Sequence, residues 1–226
     1  MAAAGRRPWA LVQHAAGEGP GALADVLEGA GVPTVAVRLD QGAPLPDPGL
    51  VAGAAVFGGA MGVHDSDRHP WLVTERRWLV EALDRGVFVL GICLGAQQLA
   101  AALGADVHAG PEPEIGAGAV ALTAEGRADP LLGPEGERVA VVQWHADTFA
   151  LPEGAVRLAT GARYPNQAFR FGSRAYGLQF HIEVDEAMAR AWAPHLPAGA
   201  ALDPGGRRAA EAAGRRIVAR ALSLAL

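Results

Sequence analysis

The sequence predicts an α/β fold around a central sheet of mixed direction, and three observations carry that prediction. From Trp9 to Ala105 short apolar runs alternate with amphipathic helical stretches. From Asp106 the helices stop and short strand-like runs follow one another. One apolar run, Val87 to Leu90, feeds a helical stretch through the glycine-flanked turn Gly91-Ile92-Cys93-Leu94-Gly95.

Taken in order, Trp9–Gln13 (WALVQ) reads as a buried strand, residues 21–31 as a short helix closed by glycine, and residues 34–39 as a second strand, together one βαβ unit. The Pro- and Gly-rich residues 40–49 form a surface connection to a third strand, residues 54–57, which stops at Gly58-Gly59. In residues 71–86 the apolar side chains of Leu72, Trp78, Leu79, Ala82 and Leu83 recur near helical spacing, and Gly86 ends the helix. Val87 to Leu90 is continuous in apolarity, as expected for a strand covered on both faces. A helix follows over residues 96–103.

Beyond Asp106, residues 106–109, 117–123, 138–144, 155–160, 167–171 and 175–180 are strand candidates separated by turns, so this half is expected to bring antiparallel pairing. A helix over 185–192, a Pro/Gly loop and an Ala/Arg-rich helix over about 206–224 complete the chain. About twenty residues after the loop are too few for a domain, so that last helix is expected to dock on a single domain spanning 1–226, with a core over about 9–192. Its arginines 207, 208, 215, 216 and 220 are expected on a solvated face.

The composition narrows the function. At 226 residues the chain can bury a full core, half its residues are apolar, and the net charge of −5 disfavours a general nucleic-acid or membrane-surface binder. One cysteine excludes an intrachain disulfide framework and a multi-cysteine zinc site. The apolar stretch after the two N-terminal arginines is broken by Gln13 and His14, too soon for a signal segment, and no stretch reaches the roughly 18 apolar residues of a membrane span. A cytoplasmic protein acting on a small molecule is expected, without nucleic-acid or membrane partners. The mixed spacing of residues 64–72 (HDSDRHPWL) reads as a solvated loop and helix start rather than a metal site.

The lone cysteine marks the candidate chemistry. A buried cysteine is usually inert, but a strand entering a helix through G-x-Cys-x-G is a nucleophile elbow: its sharp turn leaves no room for flanking side chains and exposes the reactive one. Cys93 would also stand at a helix N-terminus, whose free N–H groups favour a thiolate. A thiolate nucleophile needs a base with an orienting group behind it. In residues 176–184 (YGLQFHIEV) His181 and Glu183 sit two apart at a strand end, where i and i+2 share a face. For the oxyanion, the backbone N–H of Leu94 comes with the elbow, and Gly59 of the residue 57–62 loop (FGGAMG) is the second candidate donor.

GICLGAQQLA, FGGAMG and GLQFHIEV resemble the signature regions of the class I (triad) glutamine amidotransferases. The resemblance extends over about Trp9 to Trp192 and includes residues 143–152 (QWHADTFALP) and 164–172 (YPNQAFRFG), which are similar to stand-alone members related to the glutaminase domain of GMP synthase. It implies a flavodoxin-like three-layer fold with a mostly parallel mixed sheet, and no cofactor. It implies Cys93 as the nucleophile that forms a γ-glutamyl thioester, His181 as the proton carrier, Glu183 as its orienting group, and Gly59 and Leu94 as oxyanion donors. Gln97 would hold the substrate's amide. His145 and Asp147 would border the pocket, Asp147 either meeting the substrate's α-ammonium or being a solvated or capping aspartate at a turn marked by Thr148 and Pro152. Two positions depart from the family pattern: Ala96 stands where many members have histidine, and Ala60 where proline is common.

Three readings of function stay open at this point. The chain supplies ammonia from glutamine to a separate synthetase subunit, or it acts alone as a γ-glutamyl peptidase or hydrolase, or it is a pseudoenzyme that binds a metabolite or partner. Cys93, His181 and Glu183 together count against the last.

Overall fold

The computed structural model describes residues 6–198 and 200–225. Residues 1–5, part of the N-terminal stretch expected to lack a signal segment, lie outside the described residues, as do Gly199 of the loop before the last helix and Leu226. The first half runs β1 (Trp9–Gln13), α1 (Ala22–Gly29), β2 (Thr34–Arg38), β3 (Gly53–Val56), α2 (Trp71–Asp84), β4 (Phe88–Ile92) and α3 (Leu94–Ala102). The second runs β5 (Val107–Leu122), α4 (Ala124–Ala128), β6 (Arg138–Phe149), β7 (Val156–Thr160), β8 (Ala168–Phe171), β9 (Ala175–Leu178), α5 (Glu186–Trp192) and α6 (Pro204–Ala225).

The nine strands form one sheet in the order β2-β1-β3-β4-β9-β8-β7-β5-β6. The strands from β2 to β9 in that order are mutually parallel. All pairs from β9 to β6 are antiparallel. The sheet is therefore mixed, as expected, but it is not mostly parallel: parallel and antiparallel pairs are equal in number. Parallel neighbours need a crossover, usually helical, and β5 to β9 are joined largely by turns that permit only antiparallel return. The two strand candidates at 106–109 and 117–123 belong to the single long β5, whose register against β6 shifts between Ala109 and Glu114. Pro111 and Pro113 lie in that gap and lack the N–H groups a regular ladder requires.

Side-chain alternation along the parallel strands builds two apolar layers. Leu11, Ala55, Phe57, Phe88, Leu90 and Ile92 pack with Leu23 and Leu27 of α1 and Ile217, Val218, Ala221 and Leu222 of α6. Ala10, Val12, Ala54, Val56 and Val89 pack with Leu72, Leu79 and Leu99 of α2 and α3 on the opposite face. The terminal helix thus packs against this face of the sheet. Its arginines follow the expectation of a solvated face only in part. Arg207 is buried and paired with Glu211, Arg215 pairs with Asp25 and Glu211, and Arg216 and Arg220 both pair with Glu135. Burial raises the Glu135 carboxyl, but its two arginine partners outweigh that and hold it below the ordinary range. Of the five, Arg208 and Arg216 are exposed.

Among the described residues no helix is long and apolar enough to cross a membrane.

Candidate active site at the carboxyl edge of the sheet

The loops after β1, β3, β4 and β9 all leave the carboxyl ends of adjacent parallel strands, where open α/β sheets bind ligands. They bring Glu18, Gly59, Cys93 and His181 to one cleft of about 730 Å³, with Trp144 and Trp192 also in its lining.

Cys93 sits between β4 and α3 as the N-cap of the helix, with φ 52° and ψ −111°, and is buried in the lining of the cleft rather than exposed at the tip as expected. It is the one non-glycine residue at positive φ among the described residues, a conformation that is strained for an L side chain and typical of functional turns. Packing imposes the glycines on either side. A Cβ on Gly91 would lie 2.5 Å from the carbonyl oxygen of Gly95, and one on Gly95 would overlap the carbonyl oxygen of Val56 in β3. The elbow is wedged against the neighbouring strand and admits no side chain there. The Cys93 amide donates to the Leu178 carbonyl (2.8 Å), which ties the turn to the end of β9.

His181 lies three residues past β9, in an isolated bridge with Val142 of β6 rather than within the strand. Its Nδ1 is 2.6 Å from Oε1 of Glu183, and both side chains are buried. Oε2 of Glu183 accepts from the Ile182 amide at 2.9 Å, fixing the carboxylate. Nε2 of His181 is buried and has no hydrogen-bond partner among the described residues. Burial opposes the charged imidazole, but Glu183 and Cys93 outweigh it and hold His181 well above its ordinary pKa. A histidine with one nitrogen anchored to a carboxylate and the other free beside a thiol is arranged to exchange a proton with that thiol. Trp192 packs edge-on against His181 (5.0 Å, 79°) and against Trp144 (5.0 Å, 89°), with its Nε1 donating to the Gly17 carbonyl at 2.9 Å.

Gly59 and Leu94 both line the cleft. Their amides donate to no other group among the described residues. A Cβ on Gly59 would come within 2.5 Å of Met61 Sδ, 2.7 Å of Leu94 Cδ2 and 3.0 Å of His14 Cβ, so a side chain here has to push aside the ends of Met61 and Leu94 at the cleft.

Gln97 on α3 is buried and donates to the Asp147 carbonyl (3.1 Å) and to Gln179 Oε1 (3.2 Å). His145 Nδ1 also reaches the Asp147 carbonyl, at 2.9 Å, while Nε2 is 3.2 Å from Glu114 Oε2. Burial keeps His145 below its ordinary pKa, the Asp147 carbonyl and Glu114 offsetting this only in part. Asp147 does not cap a turn. It lies inside β6, paired with Ala109, and its carboxylate is near Gly62 at the cleft.

All eight residues singled out in the sequence therefore line or adjoin one cleft. The sequence reading missed Glu18, whose carboxylate enters the same space: a Cβ on Gly58 would overlap its Oε2 and lie 3.2 Å from His181 Cε1. Burial raises the Glu18 carboxyl, with His181 opposing and Glu183 reinforcing. The rule that loops after parallel strands gather at one edge was the available signal, since Glu18 follows β1. Trp192 carried no such signal, because a tryptophan in a short amphipathic helix reads as core.

The family model described as glutamine amidotransferase class-I matches residues 32–191. Over 109 residues the chain is 38% identical to the glutamine amidotransferase-like protein YfeJ of Salmonella typhimurium, covering 48% of this chain and 46% of that protein. Over 104 residues it is 40% identical to a glutamine-hydrolyzing GMP synthase subunit of Natronomonas pharaonis, covering 45% and 55%. The chain thus spans about half the length of these curated relatives. Among solved structures, a glutamine amido transferase from Methylobacillus flagellatus superposes with TM-score 0.88 at 28% identity over 97% of this chain and 96% of that one. One from Thermotoga maritima gives 0.84 at 29% identity over 98% and 99%.

Proposed function

The chain belongs to the class I glutamine amidotransferase family, and on that premise we propose that it cleaves a γ-glutamyl amide through a thioester on Cys93. The observation that carries the reading is the juxtaposition at the elbow: a strained cysteine at a helix N-terminus, beside a histidine whose Nδ1 is held at 2.6 Å by Glu183 and whose Nε2 is free.

In this reading the thiol proton of Cys93 passes to Nε2 of His181 and the sulfur bonds to the γ-carbonyl carbon. The carbonyl oxygen takes the negative charge and receives the Gly59 and Leu94 amides. The C–N bond then breaks, and the Nε2 proton leaves with the amine or ammonia. Water attacks the thioester, giving a proton to Nε2 as it does so, and Nε2 returns that proton to the departing sulfur as product glutamate forms. Glu183 holds the imidazole in the tautomer that presents a free Nε2. Gln97, cross-tied to Gln179 and the Asp147 carbonyl, shapes the glutamyl side of the cleft, and the Asp147 carboxylate meets the α-ammonium.

The amine has two possible fates. The GMP synthase relative of Natronomonas pharaonis is named as a subunit, which supports a separate synthetase that consumes ammonia here too. The cleft itself supports the second fate: at about 730 Å³, with Ile115, Trp144 and Trp192 in its lining, it has room for a leaving group larger than ammonia. Comparing kcat/KM of the isolated chain on glutamine and on a panel of γ-glutamyl amides separates them. Preference for free glutamine sinks the conjugate reading, and efficient turnover of a conjugate without a partner sinks the subunit reading. Turnover of neither kind, with Cys93 unreactive, sinks the enzyme.

A further inference from the structure

A buried polar cluster stands directly behind the Gly58-Gly59 loop, and the proposed reaction leaves it unused. His14, the first residue after β1, places Nδ1 2.9 Å from the Gly58 carbonyl oxygen and Nε2 2.8 Å from Glu75 Oε1 of α2. Oε2 of Glu75 accepts from Gln98 Nε2 at 2.8 Å, and Gln98 Oε1 accepts from Arg76 at 2.8 Å. His14, Glu75 and Gln98 are all buried, and the His14 ring stacks on Trp71 (5.4 Å, 10°). From these contacts we infer that His14 and Glu75 are a positioning pair that sets the Gly58–Gly59 peptide so that the Gly59 N–H is presented to the developing oxyanion.

A carbonyl oxygen only accepts, so the Nδ1 facing Gly58 carries a proton. The Gly58 carbonyl and the Gly59 N–H belong to one planar trans peptide unit and point in opposite directions. Holding the oxygen toward His14 therefore turns the N–H away from it, toward the cleft that Gly59 lines. A Gly-Gly peptide is the least restrained that a chain can offer, so its orientation has to be imposed from outside. Donation to the oxygen also polarises the unit and makes its N–H a stronger donor. Glu75 in turn holds Nε2 and leaves the ring one orientation. The charged groups facing His14 are Glu75 from α2, Glu18 from its own loop and, more distantly, Asp40. Burial lowers the His14 pKa, but Glu75, the Gly58 carbonyl and Glu18 more than offset it and leave the imidazole above its ordinary value.

This inference rests on the proposed oxyanion role of Gly59, and the experiment separates the two. His14→Phe leaves the buried Glu75 carboxylate with Gln98 on Oε2 but nothing on Oε1, and is expected to destabilise the fold. The double variant His14→Phe/Glu75→Leu replaces the pair with apolar side chains, which commonly restores stability. Three quantities are compared: kcat on a γ-glutamyl anilide, capture of glutamate γ-semialdehyde as a tetrahedral thiol adduct, and alkylation of Cys93 by iodoacetamide, which develops no oxyanion. In the folded double variant kcat and aldehyde affinity are expected to fall about tenfold or more, with alkylation kept within about twofold. Recovery of kcat and aldehyde affinity together with the melting temperature would show a merely structural pair and overturn the inference. The hydrogen bond is also read without substrate, from the ¹⁵N resonance of His14 Nδ1 and the ¹³C resonance of the Gly58 carbonyl. An unprotonated Nδ1, or a Gly58 resonance unmoved in the double variant, overturns the inference alone. A wild-type protein that neither hydrolyses nor captures any γ-glutamyl compound overturns the proposed function and the oxyanion role with it.

Discussion

Nδ1 of His181 lies 2.6 Å from Oε1 of Glu183 with both side chains buried, and the nitrogen on the other edge of the same ring has no hydrogen-bond partner among the described residues. One side of the imidazole is spoken for and the other is open toward Cys93. The expected behaviour of the triad variants rests on that asymmetry.

Cys93→Ala should lower kcat on γ-glutamyl substrates by roughly four to six orders of magnitude and leave the fold intact, because the change removes the sulfur without altering the turn. Steady-state kinetics alongside circular dichroism checks it. Appreciable residual turnover would remove Cys93 from the reaction.

His181→Ala should cost nearly as much as Cys93→Ala, since nucleophile and proton carrier act as a unit and their losses do not add. Glu183→Gln should cost less, because the carboxylate orients and does not transfer. A deeper defect in the Glu183 variant than in the His181 variant would reverse the two roles.

The raised pKa of His181 also has a stability signature with a definite sign. A histidine whose native pKa exceeds its unfolded value, near 6.5, adds stability that is fully present below that value and is lost as pH rises through the native pKa. Glu183→Gln removes the charge that holds it up. The difference in melting temperature between wild type and Glu183→Gln should therefore be largest near or below pH 6 and narrow as pH rises. A gap that widens with pH would contradict the assignment of the charge to this pair.

Gly95→Ala should destabilise the protein by roughly 3 kcal/mol, at the upper end of overpacking costs, because the added Cβ meets backbone of β3 that cannot move aside. Denaturant unfolding measures it. Gly59→Val acts differently. Its added atoms meet Met61 and Leu94 side chains, so the protein should fold with kcat reduced by up to about two to three orders of magnitude while iodoacetamide still alkylates Cys93. Unchanged kcat would remove Gly59 from the oxyanion site.

The sequence carried the elbow plainly, because Gly91 and Gly95 are demanded by backbone-to-backbone approach and such demands leave no substitute residue. It carried the parallel strands for a related reason: a strand covered on both faces must be apolar throughout, as β4 is. Where several side chains satisfy the same geometry the signal fades. The antiparallel half reads as interrupted strands because Pro111 and Pro113 break the pattern of β5 without ending the strand. The α6 arginines read as solvated because their partners Asp25 and Glu135 lie far off in the chain. His14 stands out in the sequence only as a polar interruption, and its link to Glu75, 61 residues away, exists only in the folded chain.

Trapping the acyl-enzyme tests the thioester mechanism most directly. After brief mixing with a γ-glutamyl anilide and acid quench, peptide mapping by mass spectrometry should find a γ-glutamyl group on Cys93, released by hydroxylamine as a thioester must be. It should persist longer in a His181 variant that reacts at all, since deacylation also needs the imidazole. Hydrolysis of the anilide with no adduct on Cys93 at any quench time, and with Cys93→Ala as active as wild type, would contradict it.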